Sequence, residues 1–317
     1  MIDPILLQTL KAVYQYPTAP FNEYLVEGAI IEYCIKNNIS YQSDQLGMLW
    51  VNKNNSPNLL VSHLDHPGIA IKSVLKNLAI GDWLGGRPKY LVGSVVKVFN
   101  DLKEVNYGTI IKRKGNEVTI YLDEVFDAKA GSLWFEELAP KGFQIKGNLL
   151  YTHAADDLII VAGLLATAKK LKSTILFTRA EEFHLSGITE LLSKHKLNNH
   201  KQIIVLDTTM ETDNIPLGCG ILLRKGDSEE MYTPEMTSFL KRKLGNTRHV
   251  ESIVKKGQTE GSAFVRVGLN TGSLGIAVRH IHNKNYEKEP KTPIKPTPEI
   301  IDLNDLSLVC SFLKNNF

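Results

Sequence analysis

Residues 151–207 read YTHAADDLIIVAGLLATAKKLKSTILFTRAEEFHLSGITELLSKHKLNNHKQIIVLD, and this stretch decides the fold. Residues 158–171 are apolar, alanine-rich and free of proline, the mark of a helix packed on something. Residues 173–178 read as a buried strand, 186–195 as a second helix, and 202–206 as another short apolar strand. Helix, strand, helix, strand is the alternation of a largely parallel sheet flanked by helices. The acids punctuate it: Asp156 with Asp157, Glu181 with Glu182, and Asp207. Glu181, Glu182 and Asp207 are expected just past strand C-termini, where open α/β sheets place their ligand sites. Carboxylates converging on one edge repel one another unless a cation sits among them, which points to a metal site. Acids after strands also serve as solvated loop residues or helix caps, so it is the recurrence that carries weight.

The rest of the chain frames this unit. Its 317 residues suit one large domain or two, and 43% hydrophobic content suits a sizeable core. A net charge of +3 is too near neutral to imply a nucleic-acid partner. No run approaches the roughly 20 apolar residues of a membrane span, and the N-terminus does not read as a signal peptide, so the expectation is a cytoplasmic protein. Cys34, Cys219 and Cys310 are widely spaced and read as free thiols.

Outward from the centre, helices are expected over 4–14 and 23–37, a strand into residue 50, and a strand over 58–62. HLDHPG follows at once, with His63, Asp65 and His66. A ligating histidine needs its other ring nitrogen held, which a carboxylate two residues on can do. Residues 71–148 change character: short β-type runs at 93–99, 107–112 and 118–122, with no helix of comparable strength, predict a small inserted barrel or sandwich. Trp83, Trp134 and Phe135 are assigned to its core. The expected division is therefore a catalytic α/β domain over 1–70 and 149–317, with a β-rich insert over 71–148. Toward the C-terminus come a helix over 234–244, GQTE at 257–260 with Thr259 as a cap, and a strand over 273–278. That strand runs into RHIH, with His280 and His282 on one side of an extended segment. Residues 283–299 read as an exposed loop and 300–317 as a final helix.

Taken in order, HLDHPG, AADD, AEE, VLD and RHIH resemble the co-catalytic dinuclear zinc aminopeptidases. Within them the chain is most similar to the glutamyl, deblocking and tetrahedral aminopeptidases, over roughly residues 17–306. The resemblance implies that Asp156 bridges two divalent metal ions, zinc with cobalt or manganese as substitutes. His63 and Asp207 would complete one site, and Glu182 and His282 the other. Glu181 would be the general base and Asp65 the partner of His63. It implies a peptide bond that is often cis after the bridging aspartate, short peptides as substrates, and a homo-oligomer assembled through the inserted domain. Two divalent ions roughly 3.5–4 Å apart would polarise a carbonyl and acidify a water, whose proton Glu181 would pass to the leaving amine. The expected activity is removal of N-terminal residues. The alternatives are a dinuclear amidohydrolase acting on acyl-amino acids or other small amides, and a non-catalytic relative. The chain departs from the family pattern at His66, where glutamate is usual, and at Leu158, where the paired aspartate is followed by arginine. It departs again at Phe183 and His184, at Gln258, and at His280.

Overall fold

The apolar runs of the centre meet in one eight-stranded sheet. Its order is Tyr41–Ser43, Leu49–Val51, Thr174–Thr178, Asn58–His63, Gln202–Met210, Thr271–Val278, Ile221–Arg224, His249–Ser252. The computed structural model describes residues 3–138, 140–194, 197, 202–285 and 295–317. The four inner strands, Thr174–Thr178 through Thr271–Val278, are mutually parallel, and Leu49–Val51 on one side and Ile221–Arg224 on the other join them antiparallel.

These strands read as unbroken apolar runs because both faces are covered. Alternate residues go to opposite sides. Leu60, Phe177, Ile204 and Leu206 meet helices Pro4–Tyr14, Leu158–Thr167 and Leu303–Asn316 in the larger core, while Leu59, Val61, Leu176 and Val205 meet Ile188, Leu191 and Phe264 on the other face. Helix Leu158–Thr167 lies inside the larger core and is apolar all round accordingly. Asp3 caps the first helix by accepting from the Ile5 amide at 2.8 Å.

The insert is a closed six-stranded barrel. Its strands run in the order Gly68–Leu75, Leu78–Leu84, Glu117–Leu122, Val105–Lys114, Val95–Phe99, Ala130–Leu133. Trp83 and Phe135 pack in its interior with Ile69, Val96 and Ile120, whereas Trp134 is buried against His153, outside the barrel's own cluster. A small third sheet joins Phe143–Lys146, Leu149–Thr152 and Glu299–Asp302. Among the described residues no helix is long and apolar enough to cross a membrane. The expected fold class is thus borne out, with a barrel in place of the barrel-or-sandwich alternative.

Local expectations need correction at several points. Asp207 is not past a strand end. Its strand pairs with Asn58–His63 only as far as Val205 but continues to Met210 beside Thr271–Val278, so Asp207 is mid-strand. His280 and His282 do not share an extended face, because both adopt left-handed backbone (φ 64° and 56°) around a short 3-10 turn. Residues 300–317 are not one helix: strand Glu299–Asp302 precedes helix Leu303–Asn316, whose start Asp302 caps. The expected exposed loop is wrong at both ends, since Asn283 and Glu299 are buried. Its middle, 286–294, lies outside the described residues.

Candidate metal centre

His63 ends its strand and is fully buried, so its ring must find partners inside the protein. Nδ1 lies 3.1 Å from the Asp65 carbonyl oxygen and 3.5 Å from Asp65 Oδ1. A proton on Nδ1 leaves the Nε2 lone pair free. Nε2 faces Asp156 Oδ1 at 3.7 Å, Glu181 Oε2 at 3.9 Å and Asp207 Oδ1 at 3.9 Å. The other Asp156 oxygen, Oδ2, lies 3.3 Å from His282 Nε2, which is 2.9 Å from Glu182 Oε1. One carboxylate therefore presents an oxygen to each of two histidines. Two donor groups result, each with atoms within 4.8 Å of one another: His63, Asp157 and Asp207, and Asp156, Glu182 and His282. Asp157 enters the first group although no role was expected for it. Its Oδ2 accepts from the Ser62 hydroxyl, and its Oδ1 is buried without a partner. The Asp156–Asp157 peptide is cis.

Positioning comes from carboxylates spent on backbone amides. Asp65 accepts from the Glu181 amide through Oδ1 and the Glu182 amide through Oδ2, each at 3.0 Å, so it aims the acid pair as well as flanking His63. Glu23 Oε1 takes the Ala180 amide at 2.9 Å, where the backbone turns left-handed just before Glu181. Glu299 is the residue that sequence reasoning missed altogether. Its Oε2 accepts from the Ala155 amide and, at 3.0 Å, from the Asp156 amide; its Oε1 accepts from the His282 amide and lies 3.1 Å from His66 Nε2. A lone glutamate after a proline-rich run gave no signal beyond the apolar pair behind it. Arg224 was missed too. It is wholly buried and donates to Asp207 Oδ2 at 2.9 Å, and only its place at the end of the apolar run ILLR marks it as unusual.

The barrel supplies one wall. A Cβ on Gly86 would sit 1.8 Å from His282 Nδ1, and one on Gly85 would meet Glu182 Cβ at 3.2 Å. His66, Leu158 and His280 do not join either donor group.

Electrostatics fit a cationic occupant. Burial pushes the Glu181 carboxyl well above the usual carboxylate range, helped by Glu182, Asp207 and Asp65 and opposed by His63. Burial also raises Asp157, with Asp207 and Asp156 adding to it. Burial alone would lower both imidazoles, but the surrounding acids prevail: His63 rises well above its ordinary value and His282 is pushed up to about 10. Imidazole and carboxylate donors at these separations, with excess negative charge, suit a divalent ion bound through nitrogen and oxygen.

Comparison with known proteins agrees. Residues 138–288 match the family model described as M42 glutamyl aminopeptidase. No curated protein sequence matches the chain. Among solved structures, an aminopeptidase from the archaeon Desulfurococcus kamchatkensis superposes with a TM-score of 0.78 at 17% identity, covering 98% of this chain and 93% of that one. The TET1 peptidase of Pyrococcus horikoshii, which can assemble into a tetrahedron or a large octahedral shell, gives 0.77 at 19% identity over 98% of each chain. A Thermotoga maritima protein named an endoglucanase gives 0.67 at 20% identity over 96% and 95%. Likenesses at such identity establish the fold, and the family match bears out the resemblance read from the motifs.

Proposed function

The chain carries an M42 glutamyl aminopeptidase match over residues 138–288, which makes it a peptidase hydrolase, and from that premise we propose that it removes N-terminal residues from short peptides at a dinuclear metal centre. His63, Asp207 and Asp156 Oδ1 would hold one ion, and Glu182, His282 and Asp156 Oδ2 the other. Zinc suits this donor set, with cobalt or manganese as substitutes. When bound, two divalent ions would polarise the scissile carbonyl and acidify a water molecule. Glu181 is placed to accept a proton from such a water and would return it to the departing amine nitrogen. Asp65 holds Glu181 at its amide during both transfers. The observation that supports this reading is the division of the Asp156 oxygens between His63 and His282.

The proposal includes the division into a catalytic unit over 1–70 and 149–317 and an insert over 71–148, and self-assembly in the manner named for TET1. The barrel's outer surface leaves Leu75, Ile111 and Tyr121 exposed, which suits a covered face.

The test is metal content after weak chelation and zinc reloading, followed by turnover of matched peptides with free and acetylated N-termini. About two equivalents and cleavage only of the free amine are expected. Cleavage of the acetylated peptide alone would make the enzyme a deacylase-type amidohydrolase, and absence of bound metal would defeat the mechanism. Glu181→Gln should cut kcat by about 10²–10⁴-fold while both metals stay bound.

A further inference from the structure

We propose that Arg224 is the positioning residue that fixes how Asp207 presents itself to the His63 pocket, and that Gly275 is the gap through which it reaches. This rests on the metal-centre reading above and adds to it a role for a residue on a different strand. Arg224 lies on Ile221–Arg224, and Asp207 on Gln202–Met210. Strand Thr271–Val278 runs between them. Neighbouring strands are separated by about 4.8 Å, so the side chain must cross over a whole strand to touch Asp207.

It crosses at Gly275, which pairs with Asp207 on one side and Leu222 on the other. A Cβ at 275 would lie 3.3 Å from Arg224 Nη2 and 2.1 Å from the Asp207 carbonyl oxygen, so no larger residue fits between them. At the far side each guanidinium nitrogen is engaged: Nη1 donates to Asp207 Oδ2 at 2.9 Å, Nε to Thr209 Oγ1 at 2.7 Å, and Nη2 to the Thr208 carbonyl. This engages Oδ2 and leaves Oδ1 turned toward His63 Nε2 at 3.9 Å. A planar fork with separate acceptors on each arm fixes orientation in a way that a point charge does not. The arginine thus sets a single ligating oxygen. The helix start after Asp157, where the resembled family carries its arginine, holds buried Leu158 instead.

The test separates position from charge. Arg224→Lys keeps the charge and loses the fork. Zinc affinity is measured on the full chain by competition with a chromophoric chelator, in a His282→Ala background that isolates the His63 pocket and a His63→Ala background that isolates the other. Arg224→Lys should weaken the His63 pocket about 10–100-fold, the usual range for losing a residue that orients a metal ligand, and leave the Glu182–His282 pocket within about twofold. Thr209→Val, which removes only the Nε acceptor, should weaken the same pocket severalfold, and it decides the matter if the lysine variant does not fold. Cobalt-loaded protein should show an altered visible spectrum in both variants. Unchanged affinity and spectrum in a folded variant, or equal weakening of both pockets, overturns the role of Arg224. Failure of the unsubstituted chain to bind zinc would instead overturn the metal-centre reading beneath it.

Discussion

The two donor groups around Asp156 are built from different materials. The His63 group stands on the sheet: His63 ends a central strand, Asp207 is embedded in the next, and Arg224 locks it from two strands away. The Glu182–His282 group stands on loops. Glu182 lies between left-handed Ala180 and His184, and His282 is itself left-handed. What strand pairing does for the first, Asp65, Glu299 and the Gly85–Gly86 wall do for the second. A sheet-built group inherits its geometry from the core, whereas a loop-built group must be clamped by named hydrogen bonds. The second should therefore be the easier to break.

Glu299→Ala should break it most. The substitution strips acceptors from the buried amides of Ala155 and Asp156 and from the half-buried amide of His282. Each orphaned amide costs about 1–3 kcal/mol, so a loss on the order of 3–9 kcal/mol is expected in chemical unfolding. Metal titration should show the Glu182–His282 ion lost first. Equal loss of both ions would erase the distinction.

Acid offers a graded version. His153 is held down to about 3 from an ordinary 6.5, chiefly by burial and then by the His66 and Lys97 charges. The folded state thus binds the proton less readily than the unfolded chain. Its stability contribution is intact above pH 6.5 and is lost as pH falls toward 3, at no more than about 1.4 kcal/mol per pH unit. Because the His153 carbonyl accepts from Asn283 Nδ2 at 3.1 Å, hydrogen exchange in this window should rise around 281–285 before it rises in the central strands. His153→Gln should flatten that part of the pH profile, and an unaltered profile would remove His153 as its source.

The smallest effect is expected from Gly86→Ala. One methyl group pressed against His282 costs about 1–3 kcal/mol as overpacking. It should appear as roughly tenfold weaker zinc in the loop-built pocket, with the sheet-built pocket unmoved. Equal weakening in both would mean that the barrel acts on the fold at large.

The same division explains what the sequence made legible. His63, Asp156 and Asp207 sit on or beside strands and a helix whose apolar runs announce themselves, and helices Pro4–Tyr14 and Pro234–Leu244 carry proline at their first position, a local start signal. Glu181, Glu182 and His282 were nominated by motif, but their backbone was not foreseen: no alternation pattern encodes a left-handed turn at an imidazole. Glu299 and Arg224 act across 143 and 17 residues of chain, so nothing near them in sequence reports what they touch. In the barrel, Leu78–Leu84 was overlooked because Gly81 and Asp82 interrupt its alternation. Ala130–Leu133 was overlooked because its small residues answer close backbone packing, a Cβ at Gly131 falling 2.8 Å from the Lys97 carbonyl.

Gly86 also sets the terms on which the barrel could be exchanged. A chimera that grafts another barrel into this chain meets the outward surface around Leu75 and Tyr121 only as a question of self-assembly, since those side chains are exposed. It has almost no latitude at the rim where Leu78–Leu84 ends, since there the donor module must offer bare backbone against His282. A glycine at the place of Gly86 is the fitting a replacement has to share if His282 is to stay where it is.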